Sequence, residues 1–188
     1  WMLGYHNLTA SDVSKKMVIR ASKIQMERRS TINFIKEDAT KLSFPSNVYD
    51  GVIFGFNGLM QIPHRENRKK AMNECFRVLH PGGRFVFTSH DRGIPRWKKF
   101  WVNERKKWRI GLQDKALIEF GDRYGETPTG RLFIHVPDRS DIQKDLRDTG
   151  FLLERDVMRS KVSDESKLVK DFSDECRFWV ARKPESSG

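Results

Sequence analysis

"RVLHPGGRFVFTSHD" (residues 77–91) holds a helix end, a break, an apolar strand and a polar turn in one short stretch. Just upstream, Ala71, Met72, Cys75, Phe76 and Leu79 recur at the spacing of one helical face, so a helix runs into this segment. Pro81-Gly82-Gly83 is predicted to stop it, because proline cannot continue a helix and glycine tolerates the turn. Arg84 to Ser89 then read as a strand buried on both faces, closed by the turn Ser89-His90-Asp91.

Working upstream, "YDGVIFGFNGLMQI" (49–62) repeats the pattern: Val52, Ile53 and Phe54 form an uninterrupted apolar run, followed by Gly55-Phe56-Asn57-Gly58. "TINFIKEDATKLSF" (31–44) gives a β-branched and aromatic strand ending near Lys36, followed by the acidic turn Glu37-Asp38-Ala39. Earlier still, a short strand over Leu8 to Ala10 leads through Asp12-Val13 to a helix capped by Ser14, with Met17, Val18, Ala21 and Ile24 on one face. Strands alternating with helices at this spacing imply right-handed crossovers and an α/β fold built on a parallel sheet.

Downstream of Asp91 the rhythm breaks, and residues 92–130 read as an insertion or lid carrying Trp97, Trp101 and Trp108 among many cations. The pattern resumes with "RLFIHV" (131–136). A helix over Ser140 to Thr149 follows, carrying Ile142 and Leu146 and ended by Gly150 in the position that favours a left-handed cap. Strands near Phe151 to Arg155 and Cys176 to Arg182 pair most simply as antiparallel neighbours, and 184–188 is a polar tail.

The 188 residues, 37% of them hydrophobic, suffice for one domain with a single core, expected over 1–188. A formal charge of +11 favours an anionic partner without naming it. Cys75 and Cys176 lie far apart, with no CxxC and no histidine in metal-ligand spacing, so buried free thiols in a reducing compartment and no metal centre are expected. No apolar run approaches the roughly 18 residues that span a bilayer, and no signal pattern opens the chain; a cytoplasmic protein with no membrane partner is expected. A first residue that is Trp rather than Met suggests a piece of something longer.

In an open parallel sheet the ligand lies beyond the carboxyl ends of the strands, which directs attention to the four turns. A carboxylate such as Asp12 has two oxygens that match a vicinal diol, though an aspartate opening a helix also complements the helix dipole. Asp38 followed by Ala39 can read an adenine edge, the carboxylate accepting from the exocyclic amine and the next N–H donating to a ring nitrogen; equally, Asp38 can bond its own turn.

In order and spacing, "DVSKKMVIRA", "EDATKLSF", "YDGVIFGFNGLMQI" and "RVLHPGGRFVFTSHD" resemble the class I S-adenosylmethionine-dependent methyltransferases, closely over Leu3 to Asp91 and more loosely over "FIHVPDRSDIQKDLRDTGFLLE". The resemblance implies a Rossmann-like sheet, mostly parallel with an antiparallel C-terminal strand, and S-adenosylmethionine as cofactor. It implies that Asp12 holds the ribose, Val13 packs on the adenine and Asp38 with Ala39 reads the adenine edge. It also implies that Phe56, Asn57 and Gly58 line the methionine end; without it, these three read as core packing and turn chemistry.

The match departs from the family at its start. The family's first strand and glycine-rich loop are absent before Asp12, and Trp1 to Gly4 look like the tail of the helix that follows that loop. In the family's strand order the missing strand lies between the one ending at Asp12 and the one at Val52 to Phe54. The sheet is therefore expected to be N-terminally truncated, with two open edges.

Methyl transfer from a sulfonium needs positioning, and a base only when the acceptor must lose a proton. His90 and Asp91 are the general-base candidates, against the plainer reading of His90 as a turn histidine bonded to backbone. The (Asp/Asn)-Pro-Pro-aromatic tetrapeptide of many nucleic-acid amine methylases is missing after Phe54, which favours a small-molecule substrate. Arg92, Arg96, Lys98, Lys99, Arg105, Lys106, Lys107 and Arg109 face one acid, Glu104, in the insertion. This is either a nucleic-acid surface, a lid over an acidic substrate, or an amphipathic helix with its Trp inward. The alternatives to a small-molecule methyltransferase are an RNA or protein methyltransferase and a non-catalytic binding module of the same fold. Tyr124, Arg131 and His135 flank the insertion.

Overall fold

The computed structural model describes residues 4–5, 7–28, 31–127, 130–172 and 174–185. By packing, the expected single domain divides into two compact units, Trp1–Phe44 and Pro45–Gly188.

In the first unit, β1 (Thr9–Asp12) and β2 (Asn33–Lys36) pair in parallel, in register from Thr9↔Asn33 to Asp12↔Lys36, and α1 (Lys15–Arg28) connects them. The strand expected at Leu8–Ala10 lies further along the chain because the ladder with β2 sets its limits. Ser14 caps α1: its Oγ accepts the Met17 N–H at 3.4 Å and its carbonyl the Val18 N–H at 3.1 Å.

In the second unit, β3 (Tyr49–Phe54), β4 (Leu79–Ser89), β7 (Leu152–Met158) and β8 (Arg177–Arg182) form a sheet of order β3-β4-β8-β7. β3 runs parallel to β4, while β8 runs antiparallel to both β4 and β7. Three of the four strands therefore point one way, with the C-terminal strand reversed. Helices α2 (Arg65–Val78) and α4 (Arg139–Thr149) pack on each other and on this sheet. Phe85 and Phe87 alternate into the core from β4, their rings 4.8 Å apart, with Phe151 at 5.4 Å from Phe85 and Trp179 at 6.0 Å from Phe87. Trp179 Nε1 donates to the buried Ser89 Oγ at 2.9 Å, so the indole enters the core with its one polar atom satisfied.

Among the described residues, β1 pairs with β2 alone and β3 with β4 alone, so the two edges expected to be open are unpaired. Ile53 is 80% exposed despite its apolar run.

Two expectations are corrected. Helix α2 ends at Val78, before Pro81, and β4 begins at once: Leu79 is fully buried and pairs with Tyr49, and residues 80–83 are absorbed as a register shift between Tyr49 and Gly51. "RLFIHV" does not return to the sheet. It forms β6 (Gly130–His135), the second arm of an antiparallel hairpin with β5 (Asp122–Thr127), so the insertion extends past residue 130. Within it lies the helix α3 (Lys98–Arg109), and a short α5 (Lys167–Phe172) precedes β8. The Gly150 cap is as expected, at φ 99°, and Asp138 opens α4 with a capping box to Asp141.

Candidate active site

In the first unit, the register Asp12↔Lys36 and the bond from Glu37 N–H to the Asp12 carbonyl put both acidic turns at the same, carboxyl edge of the pair. Asp12 Oδ1 accepts the Ser14 N–H at 2.7 Å. Asp38 Oδ1 accepts the Thr40 N–H and hydroxyl, both at 2.8 Å, and these two bonds hold its carboxyl below the usual range. Each aspartate is thus fixed by its own turn through one oxygen, which leaves the other oxygen of an exposed carboxylate open. Val13 beside them is 65% exposed, and Ala39 is half-buried.

In the second unit, the register Phe54↔Phe87 brings the turns after β3 and β4 together. Phe56 and Asn57 both sit at φ 55°, the left-handed region that costs a bulky side chain such as Phe, and the Phe56 ring is 95% exposed. Gly58 follows because a Cβ there would stand 2.9 Å from the Phe54 ring. The turn is held by Asn57 N–H donating to Thr88 Oγ1 at 2.9 Å and Gly58 N–H to the Gly55 carbonyl at 2.9 Å.

Asn57 also reaches His90, with Nδ2 3.3 Å from His90 Nε2, while His90 Nδ1 lies 3.2 Å from the Glu175 carbonyl. A carbonyl only accepts, so Nδ1 carries the proton and Nε2 keeps its lone pair, which the Asn57 amide meets as a donor. The backbone-bonded histidine of the plain reading is therefore present, and that bond selects the tautomer a base requires. The partner oxygen, Asn57 Oδ1, is buried and meets no donor among the described residues. Asp91 is differently committed: Oδ1 accepts the Gly93 N–H at 2.7 Å and Oδ2 the Arg177 Nε at 3.0 Å.

His90 forms part of the wall of a cavity of about 330 Å³ whose other walls include Ile94, Trp97, Phe100, Trp101 and Ile134. The insertion supplies this aromatic wall. Its inner packing joins Trp101 and Trp108 to Phe120, at 5.8 and 6.0 Å between rings. Two of the three Trp are thus half-buried, as expected of an amphipathic helix with its Trp inward, while Trp97, in the turn before α3, remains 42% exposed. The one cation in the wall, Arg123, is bonded to Glu104 at 2.7 Å. Burial pushes the Glu104 carboxyl up, but Lys107 and Arg123 outweigh it and leave it below the usual range.

A second cavity, of about 290 Å³, lies among α2, α4 and residues 117–137 and is lined by ion pairs: Arg65–Asp145, Arg68–Glu119, and Arg92 with Asp141. Glu119, Asp122 and His135 beside it are close enough to hold a cation, their ligand atoms lying within 4.8 Å of one another. Their oxygens are already engaged. Glu119 accepts from Arg65 N–H and Arg68; Asp122 accepts from His135 Nδ1 at 2.8 Å and from the Ile118 and Glu119 N–H groups. Burial opposes ionisation of Asp122, yet these partners hold its carboxyl below the usual range. The grouping is an ion-pair lock. Of the other flanking residues, Tyr124 and Arg131 stack on each other on the hairpin at 4.6 Å. Phe100 and Glu175 carry no sequence signal of a site role, and Arg92 and Glu104 are legible only as charges of the insertion.

Parallel strand pairs β1–β2 and β3–β4 with acidic, glycine-bearing and histidine turns at their carboxyl ends are features of the Rossmann-like class I methyltransferase fold. The family profile described as "Methyltransferase domain" matches residues 1–87. The chain is 33% identical over 97 residues to the demethylmenaquinone methyltransferase of Paenarthrobacter aurescens, covering 51% of this chain and 35% of that protein. It is 42% identical over 121 residues to the ubiquinone/menaquinone biosynthesis C-methyltransferase UbiE of Ectopseudomonas mendocina, covering 64% and 44%. The chain thus spans less than half the length of these relatives. Among solved structures, a SAM-dependent methyltransferase from Methanosarcina mazei superposes with a TM-score of 0.72 at 18% identity, covering 95% of this chain and 82% of the other. The [4+2]-cyclase SpnF superposes at 0.64, also with 18% identity, covering 95% and 67%. Residues 1–87 thus match the methyltransferase-domain family, and the chain shares its fold with S-adenosylmethionine-dependent methyltransferases.

Proposed function

We propose that this chain is the catalytic part of an S-adenosylmethionine-dependent methyltransferase whose acceptor is an apolar, ring-bearing small molecule of the quinone-precursor type. The observation that carries this reading is His90, held in its Nε2-basic tautomer at the wall of an aromatic-lined cavity beside the strained turn Phe56-Asn57-Gly58. A fold shared with a [4+2]-cyclase does not assign transfer by itself, so the site must do so.

The residues fit the cofactor by their chemistry. Asp12, with one oxygen anchored and one open, suits a ribose diol, and exposed Val13 suits an adenine face. Asp38 and Ala39 suit the adenine edge. In the other unit, the exposed Phe56 ring and the donorless Asn57 Oδ1 suit a cationic methionine end, with Gly58 allowing close approach. When bound, the cofactor supplies an electrophilic methyl.

The chain's own residues do the rest. Ile94, Trp97, Phe100 and Trp101 exclude water and orient a flat acceptor. His90 Nε2 exchanges the Asn57 amide for an acceptor hydroxyl and takes its proton, while the Glu175 carbonyl stabilises the charge that develops on the ring. Asp91, through Arg177, fixes the turn that aims His90 and acts as a positioning residue. Relatives that methylate quinone precursors support the substrate class, as does a cavity whose one cation is already paired. Calorimetric titration of S-adenosylhomocysteine into the protein and its Asp12→Ala variant tests the cofactor reading. Ribose bonds worth about 1.5–3 kcal/mol each predict at least about tenfold weaker binding with an unchanged melting temperature. An unchanged dissociation constant returns Asp12 to the helix-dipole role.

A further inference from the structure

Helix α3 turns Phe100, Trp101, Glu104 and Trp108 inward, all within one side of the 100°-per-residue wheel. The opposite side carries Lys98, Lys99, Lys106 and Arg109, all exposed. Their neighbours on the inner flank are neutralised, Lys107 by Glu104 and Arg96 by Asp174. No acid among the described residues forms an ion pair with the four outer cations. At the middle of that face is Val102, 48% exposed. Where the helix ends, Ile110 and Leu112 stand 69% and 70% exposed, and Trp97 lies at the other end.

We propose that this face docks on an anionic phospholipid surface. Lysine and arginine lay their stems along the helix and raise their charges to headgroups, while aliphatic side chains at the same level leave water for the acyl boundary. A nucleic-acid surface has a use for the cations but none for Val102, Ile110 and Leu112, which neither stack on bases nor donate to phosphates. The combination of unpaired cations with exposed aliphatic groups selects the lipid. A consequence, which rests on the function proposed above, is that Trp97, Phe100 and Trp101 join the docking face to the cavity beneath. An acceptor dissolved in the bilayer would then reach His90 without crossing water.

The test is co-sedimentation of the full chain, without cofactor or acceptor, with phosphatidylcholine vesicles and with vesicles that also contain phosphatidylserine. Binding is expected on the mixed vesicles, weak on the neutral ones, and reduced by salt. A variant with Lys98→Gln, Lys99→Gln, Lys106→Gln and Arg109→Gln should bind several-hundredfold more weakly, each cation near an anionic surface being worth roughly a fivefold change. Ile110→Ser with Leu112→Ser should weaken what binding survives high salt. All six changes are at exposed positions, so thermal melting checks that each variant is folded. Absence of binding to the mixed vesicles, equal binding to neutral ones, or full binding by the fourfold variant overturns the proposal. So does tighter binding to labelled RNA or duplex DNA at the same salt, abolished by the same four changes. Because neither cofactor nor acceptor is present, vesicle binding can hold while the cofactor titration fails, and the reverse.

Discussion

Replacing Arg92 by Ala should loosen the insertion that walls the cavity, by an amount its contacts allow to be worked out. The buried guanidinium donates Nη1 to the Phe120 and Val136 carbonyls at 3.0 and 2.6 Å, and Nη2 to Asp138 and Asp141 at 2.6 and 2.9 Å. It also lies 5.0 Å from the centre of the Phe120 ring. The two carboxylates are each 41% exposed and can return to water, so their loss counts for little. The two carbonyls bear the loss, at about 1–3 kcal/mol each if left without a donor. Against this stands the relief of a buried charge whose Nε finds no acceptor. The balance is a destabilisation of about 3 kcal/mol. Urea unfolding followed by tryptophan fluorescence is the assay, because Trp101 and Trp108 pack on Phe120. Arg92→Lys should recover less than half of the loss, since an ammonium cannot span four acceptors as a planar fork does. A cost below about 1 kcal/mol for Arg92→Ala, or full rescue by lysine, would refute the reasoning.

His90→Ala should lower kcat by about 10²- to 10⁴-fold while leaving S-adenosylhomocysteine affinity within about twofold; steady-state kinetics with calorimetry decide this, and an unchanged kcat removes His90 from the chemistry. Asp122 and Glu104 both titrate below their usual range when folded. Their stabilisation is complete above the unfolded carboxylate pKa near 4 and disappears as pH falls through the lower folded values. Melting temperature measured from pH 7 to pH 3 should therefore drop more steeply for the parent protein than for Asp122→Asn, and parallel curves would contradict the ion-pair lock. Gly58→Ala should cost about 1–3 kcal/mol, because its Cβ meets the Phe54 ring at 2.9 Å. A neutral result in thermal unfolding would mean that the ring simply turns aside.

The carboxyl-edge turns were legible because local chemistry announces them. Apolar runs end in acids, glycines or a histidine, and Gly150 and Ser14 mark helix limits by their own backbone and hydroxyl. The end of α2 reads too late in the sequence because Pro81 is a strong local signal, whereas the pull of Tyr49 on Leu79 across the sheet leaves none. "RLFIHV" reads as a strand of the main sheet because its partner, "DRYGET", is polar and mostly exposed and does not read as a strand. The site's polar connections were hidden for the same reason. The carbonyl that fixes His90 comes from Glu175, 85 residues away, and the acceptors of Arg92 lie 28 to 49 residues away. Such long-range bonds have no period and no spacing.

The strand order β3-β4-β8-β7 also bears on how the molecule is made. β8, the last of the four to leave the ribosome, is the one that must lie between β4 and β7. Until Arg177–Arg182 has emerged, β4 offers a bare edge beside Phe85 and Phe87, and β7 has no neighbour in this sheet. A nascent chain that pauses before that point carries an open template for other strands. Its demand for chaperones should therefore peak late in synthesis, and a ribosome stalled within the segment before β8 should yield aggregates rather than a smaller folded core.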